Sequence, residues 1–466
     1  MLKTLRPSIT QALLMGGIVL ALLGGSRPAA AQQESVLYNF QGAYNYGPDG
    51  AFPESNLIFD SSGNLYGTTG YGGSAGAGSV FELSPQSGGG WSEAMLYSFQ
   101  NNGEDGNSSS AGLIFDNAGN LYGTTVGGGN NGVGTVFELS PHSGGAWTEA
   151  ILYNFQNNGQ DGINPYAGLT FDNVGNLYGT TSGGGTGNCV AEGGNPGCGT
   201  VFEISPQSGG GWSETVLLNF QGTPTDGYAP FGGLIFDNAG NLYGTTIAGG
   251  SIGSGTVFEL SPQSGGGWSE TVLYSFLSNG RDGNGPNAGL IFDSRGNLYG
   301  TTATGGTGCG GGCGTIFELS PKSGGLWAEK VLHSFQYSDG AFPEGSLIID
   351  SAGDLYGTTE YGGSGRGAGC DGCGTVFELL SASVPSASTF EIIRVLHSFQ
   401  DDGQDGVNPA AGLIADAGGN LYGTTIQGGS GGCNSQFGVG CGTVFEVSHS
   451  ARHRDQLPWK GLGTAK

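Results

Sequence analysis

The residues in this chain best suited to chemistry come in sets. Eight cysteines form four close pairs: Cys189 and Cys198, Cys309 and Cys313, Cys370 and Cys373, Cys433 and Cys441. Thiols at such spacing either bridge or bind metal. Cys370-x-x-Cys373 has the spacing of zinc ligands, yet no second pair of that spacing and no nearby His completes four ligands. Disulfides are the expected state, each bridge limiting the freedom of one long loop. A second set is an Asp-Gly step that recurs at Asp49, Asp105, Asp161, Asp226, Asp282, Asp339 and Asp405. Asp-Gly is turn chemistry first. Seven carboxylates on one face also offer oxygen ligands to calcium, the one cofactor the sequence suggests.

A third set is a glutamate in a Val-Phe-Glu phrase, Ile-Phe-Glu in one copy: Glu82, Glu138, Glu203, Glu259, Glu318, Glu378 and Glu446. A residue that returns in every copy serves the fold, and a hydrogen bond to a neighbouring strand is the expected role. Catalysis needs asymmetry, with one nucleophile, one base and one orienting group. The five histidines do not supply it. His333 and His397 replace a recurrent Tyr, His142 sits in a turn, and His449 and His453 lie in the tail. The many Gly runs lack the strand-to-helix context of a phosphate loop.

These sets are periodic because the whole chain is. NLYGTT begins at Asn64, Asn120, Asn176, Asn241 and Asn297, returns as DLYGTT at Asp354, and closes at Asn420. An apolar run ending in Asp precedes it, as in Leu57 to Asp60. A Val-Phe-Glu-Leu phrase follows, as in Val80 to Leu83. Then comes a run such as Met95 to Phe99, often opened by a Trp like Trp91. Each phrase is short, rich in β-branched and aromatic residues, and bounded by Gly, Asn, Asp, Ser or Pro, which is the signature of strands. Calling them A to D, Asp-x-x-Gly-Asn joins A to B as a tight turn. A four-strand unit of about 56 residues is a propeller blade. The expected fold is all-β, a seven-bladed propeller over residues 32–447. The chain opens with a lone D strand, Val36 to Phe40, and its last unit stops after C at Val447. The first strand therefore completes the last blade, and no inner edge is left unpaired.

The phrases GLIFDxxGNLYGTT and GTVFELSP resemble the GloVer tandem-repeat family of secreted bacterial proteins. The resemblance runs from about Glu34 to Val447. The A and B phrases are also similar to NHL-type propeller repeats. The resemblance implies a propeller outside the cell and no particular activity. Members carry varied C-terminal anchors, but here residues 448–466 form a polar tail with Arg452, Arg454 and Lys460 and no hydrophobic anchor. That tail is expected to be disordered.

Residues 1–31 read as a signal peptide. Lys3 and Arg6 precede an apolar core from Leu13 to Leu23, and Ala29-Ala30-Ala31 offers a cleavage site before Gln32. A secreted or periplasmic monomer is expected. Net charge is −25, from 13 Lys+Arg against 38 Asp+Glu. Such a surface repels phosphate backbones and anionic lipids, so neither nucleic acid nor membrane is an expected partner.

In a propeller the D–A and B–C connections share one face. The A–B and C–D joints are nearly uniform in this chain, whereas the B–C loops vary. In blades one, two and four they span 70–78, 126–134 and 247–255; in the others 182–199, 303–314, 360–374 and 426–442, and only these carry cysteines. Function gathers on variable loops held by a rigid scaffold. The expected binding residues there are Asp339, Asp405, Tyr361 and Phe437, with Tyr71 and Tyr166 as further rings. Two functions fit: a non-catalytic binding or adhesion scaffold for a glycan or extracellular protein, or an extracellular hydrolase or lyase using loop carboxylates on a polysaccharide or small ester.

Overall fold

The computed structural model describes residues 34–42, 47–189, 196–367, 370–381, 392–435 and 438–448. The chain divides by its internal contacts into Met1–Ala31 and Gln32–Lys466. The expected signal peptide and the tail beyond residue 448 lie outside the described residues. Among those described, every regular element is a strand.

Seven four-stranded antiparallel sheets form the blades of a propeller. In blade one the strands are A Ile58–Phe59, B Leu65–Thr69, C Ser79–Pro85 and D Trp91–Ser98. The A–B turn forms as its residue types require. Asp60 accepts the N–H groups of Ser62 and Asn64 at 2.8 and 2.9 Å, and Gly63 takes φ +85°. The seventh blade is A Ile414–Ala415, B Leu421–Thr425, C Thr443–Val447 and D Glu34–Asn39. Its outer pair runs Glu34 against Val447 to Asn39 against Thr443, with one bulge between Val36 and Tyr38. The first strand thus closes the ring.

Between blades the core is a repeated pair of rings. Phe99 at the end of strand D meets Phe137 of the next strand C edge-on at 5.2 Å. The same contact recurs around the circle and returns from Phe40 to Phe81 at 5.1 Å. These rings are fully buried. The glycine of LYGTT makes room for them: a Cβ on Gly123 would stand 2.6 Å from the Phe137 ring and 3.0 Å from Leu113. Nearer the axis, Thr124 Oγ1 donates to the carbonyl of Ala167 in the next blade at 3.1 Å, and Thr424 closes the series on Ser55 at 3.2 Å. The innermost residues also touch around the axis. Gly412 N donates to Asn56 Oδ1 at 2.7 Å, and Gly289 N to Ser346 Oγ at 3.1 Å.

Candidate binding site at the channel mouth

The D–A and B–C loops do share one face, because they pair with each other. Gly50–Ala51 forms a short ladder with Tyr71–Gly72, and the equivalent pairing returns in each blade, in the sixth as a single bridge between Ala341 and Tyr361. One residue per D–A loop ties this layer down. Phe52, Ser108, Asn164, Ala229, Phe342 and Asn408 adopt φ near +55 to +60°, and Gly285 holds the seventh place at +68°. Side chains rarely enter this region because Cβ crowds the following carbonyl. Here both backbone groups hold the residue in place. Phe52 N–H donates to Cys441 O of the preceding blade at 2.8 Å, and Phe52 O accepts from Gly70 N of its own B–C loop at 3.1 Å. Asn408 does the same with Cys373 and Ile426 at 2.9 and 3.1 Å.

Two residues after each of these anchors, the chain turns into strand A. The seven residues there are Glu54, Ser110, Tyr166, Phe231, Asn287, Glu344 and Ala410. They flank the ring of innermost residues, and each keeps accessible surface. The strand phrases of the repeat are largely duplicated, yet this ring is different in nearly every blade. The first residue of the B–C loops forms a companion set, in which Glu360 stands where the other blades have small or aliphatic residues.

The ring is polarised. Glu54 accepts a hydrogen bond from Ser110 Oγ at 2.9 Å across the first two blades. Burial pushes its carboxyl above the ordinary range, and the Ser110 bond holds it partly down. Burial also raises Glu360; a hydrogen bond from Tyr361 lowers it, and the charge of Glu54 raises it further. The charge of Glu344 acts on Tyr361 as well. Blades one and six therefore present an acidic arc. Opposite them, Tyr166 and Phe231 of blades three and four lie 4.8 Å apart with planes 33° from parallel. Tyr166 is 37% exposed. The arrangement offers a flat apolar shelf facing carboxyl, hydroxyl and amide groups, the composition of a small-ligand site.

The Gloeobacter/Verrucomicrobia repeat matches residues 26–191 and 187–432. The chain belongs to that repeat family. No curated protein matches its sequence. Among solved structures it is similar to a fungal alcohol oxidase in complex with copper, at 14% identity over 90% of this chain and 76% of that one, with TM-score 0.52. It is similar to an ancestral GH74 enzyme at 12% identity, over 87% of this chain and 48% of that one, TM-score 0.52. A periplasmic gluconolactonase of Pseudomonas aeruginosa aligns at 14% identity over 86% and 98% of the two chains, TM-score 0.46. Likeness at these identities is likeness of fold.

Within this repeat architecture, the residues singled out from the sequence take different places. Tyr166 is on the aromatic shelf. Tyr361 is 38% exposed beside Glu360, its ring edge-on to Phe342 at 5.6 Å. Tyr71 packs against Phe52 at 5.7 Å, supporting an anchor. Phe437 lies outside the described residues. Asp339 and Asp405 are not at the mouth but between blades, paired with His333 at 3.4 Å and His397 at 2.9 Å. The other Asp-Gly aspartates share that place. Asp105 and Asp161 each accept Tyr97 or Tyr153 O–H and a backbone N–H at 2.7–2.9 Å; Asp49 and Asp282 are held likewise, and Asp226 accepts Gln221 N at 2.6 Å. For calcium this means seven separate interfaces rather than one convergent ring.

The four cysteine pairs are bridged within their loops, with Cα atoms 4.9–5.5 Å apart. The recurrent strand-C glutamate is structural, but its partner is closer than expected. Ser84 Oγ, two residues along the same strand, donates to Glu82 at 2.8 Å. In blade six Leu380 replaces that serine, and Tyr356 and Arg394 bind Glu378 instead at 3.0 and 3.2 Å. Glu54, Glu344, Glu360 and Phe231 are not singled out by the sequence patterns considered above. Glu54, Phe231 and Glu344 stand in the column after the recurrent Pro of the D–A loop, and Glu360 in the first column of the B–C loop; both columns change from blade to blade within an otherwise repeated frame.

Proposed function

We propose that this protein is an extracytoplasmic binding scaffold that takes a glycan at the channel mouth of its D–A and B–C loop face. One observation carries the reading: a seven-fold repeat breaks its own pattern at the ring Glu54, Ser110, Tyr166, Phe231, Asn287, Glu344 and Ala410. Sugar C–H faces lie well on flat rings, and sugar hydroxyls donate to carboxylates. An amino sugar would gain further from the acidic arc. Four disulfides fit folding in an oxidising compartment. Among the described residues no helix is long and apolar enough to cross a membrane. Secretion or a periplasmic location, and a monomeric state, belong to the same proposal.

A second reading rests on Glu54 and Glu360. Burial raises both carboxyls, and the charge of Glu54 raises Glu360 further, which suits a hydrolase or lyase needing a neutral acid beside a base. A glycan array and calorimetry on the wild type, Tyr166→Ala, Phe231→Ala and Glu54→Gln separate the two. The scaffold reading expects binding that each variant weakens by at least ~10-fold, a loss of ~1.4 kcal/mol. Turnover of bound polysaccharide or ester, abolished in Glu54→Gln, establishes the second reading. Unchanged binding in all three variants removes the mouth from consideration.

A further inference from the structure

Six blade interfaces bury a glutamate from the start of one strand D beside the Asp-Gly aspartate held by the preceding strand D. The glutamates are Glu34, Glu93, Glu149, Glu214, Glu270 and Glu329, and each has an Oε1 shielded from solvent with no hydrogen-bond partner. At most interfaces the third group is a tyrosine whose phenol donates to the aspartate, as Tyr97 does to Asp105 at 2.9 Å. Two interfaces carry His instead. His333 has no glutamate opposite, because Ile393 occupies that position in blade six. His397 does have one, Glu34 of the closing strand.

That difference changes the chemistry. A buried phenol keeps its proton and cannot serve as an anionic ligand. An imidazole offers a neutral nitrogen lone pair. Glu34, His397 and Asp405 each present a ligand atom within 4.8 Å of the others, the one such triad among the described residues. Two of the three are already oriented by their surroundings. Asp405 accepts Gln400 N at 3.0 Å and Gly406 N at 2.7 Å. The His397 ring is fixed edge-on against Phe399 at 4.7 Å. Such outer contacts are what hold metal ligands in place. An open cleft bounded by Glu34, Asn39, Gln400, Asp402 and Asp405 gives a route in. Its carboxylate Asp402 stands beside Glu34.

We propose that Glu34, His397 and Asp405 form a site for one divalent transition ion, zinc in the first instance. One imidazole nitrogen with two carboxylates is a donor set that zinc accepts, leaving a position for water or Asp402. The site straddles the seam of the ring. Glu34 belongs to the first strand, whereas His397 and Asp405 belong to blade six. A bound ion therefore clips the closing strand to a blade with which it shares no backbone pairing, and stabilises the folded state by mass action.

The experiment uses the full exported chain, freed of metal by a chelator and returned to zinc or cobalt. Calorimetry should find one zinc per chain, Co2+ should develop a visible absorption band, and the melting temperature should rise by several degrees. Hydrogen exchange of amides 34–39 should slow. His397→Tyr restores the residue found at most other interfaces, so it should fold while losing all four responses. Glu34→Gln should weaken them. A wild type without a one-to-one response overturns the proposal. So does a His397→Tyr variant that responds as the wild type does.

Discussion

Glu149 lies between two blades with Asp105 and Tyr97 facing it, and burial followed by the charge of Asp105 pushes its carboxyl up to about 7. Glu93 faces Asp49 and Tyr38, Glu214 faces Asp161 and Tyr153, and Glu329 faces Asp282 and Tyr274; all three are likewise raised to about 7. Glu270 is raised in the same direction against Asp226. In the unfolded chain these groups return to the ordinary carboxyl range near ~4.3. The folded state therefore binds more protons between those values. The stability these acids contribute is fully present below the unfolded value and is lost as pH rises through about 7. The melting temperature should be several degrees higher at pH 5 than at pH 8.5. Glu149→Gln, which keeps the neutral shape, should narrow that gap by stabilising the protein only at the higher pH. A melting temperature that climbs from pH 5 to pH 8.5 would contradict this account.

At the scale of elements, each B–C loop has two parts with different duties. Its first residue is held by the left-handed anchor of the D–A loop, as Ala303 N is by Gly285 O at 2.9 Å. Its end is tied to the next blade, as Cys313 O is by Phe342 N at 2.9 Å. The stretch between varies in length without disturbing either tie. The bridge from Cys309 to Cys313 thus ties that stretch to the anchored end of the loop. Replacing residues 303–314 with the nine-residue loop 247–255 of blade four should leave the melting temperature within a few degrees of wild type. Circular dichroism melts of the chimaera test this. Loss of cooperative unfolding would mean that the loop interior supports the blade after all.

For the whole molecule, stability depends most on closing the ring. Strand Glu34–Asn39 covers the edge of Thr443–Val447, and Phe40 fills the space against Phe81. Removing residues 32–40 exposes a strand edge and deletes a buried ring. Large-to-small changes at such rings alone cost ~3–5 kcal/mol, and an open edge invites association. The deletion should aggregate or melt far below the wild type, as light scattering and calorimetry would report. A monomer with wild-type melting would show that the ring does not depend on its first strand.

The strand phrases, their order and the orphan first strand were legible in the chain because short runs rich in β-branched and aromatic residues repeat between tight turns marked by Gly and Asp. The loop bridges were legible because two cysteines in one loop have no nearer partners. The roles of Asp339 and Asp405 were not. An Asp-Gly step reads as an exposed turn, and only the packing of strand D against its neighbour turns those carboxylates inward to His333 and His397. Glu54 and Glu360 lie far apart in sequence, in the first and sixth blades. Only ring closure brings blades one and six within electrostatic reach on either side of blade seven. Residue type and spacing determined each blade, since a blade is made by local pairing. The mouth was decided by the circle, because its seven residues become neighbours only when the last blade meets the first.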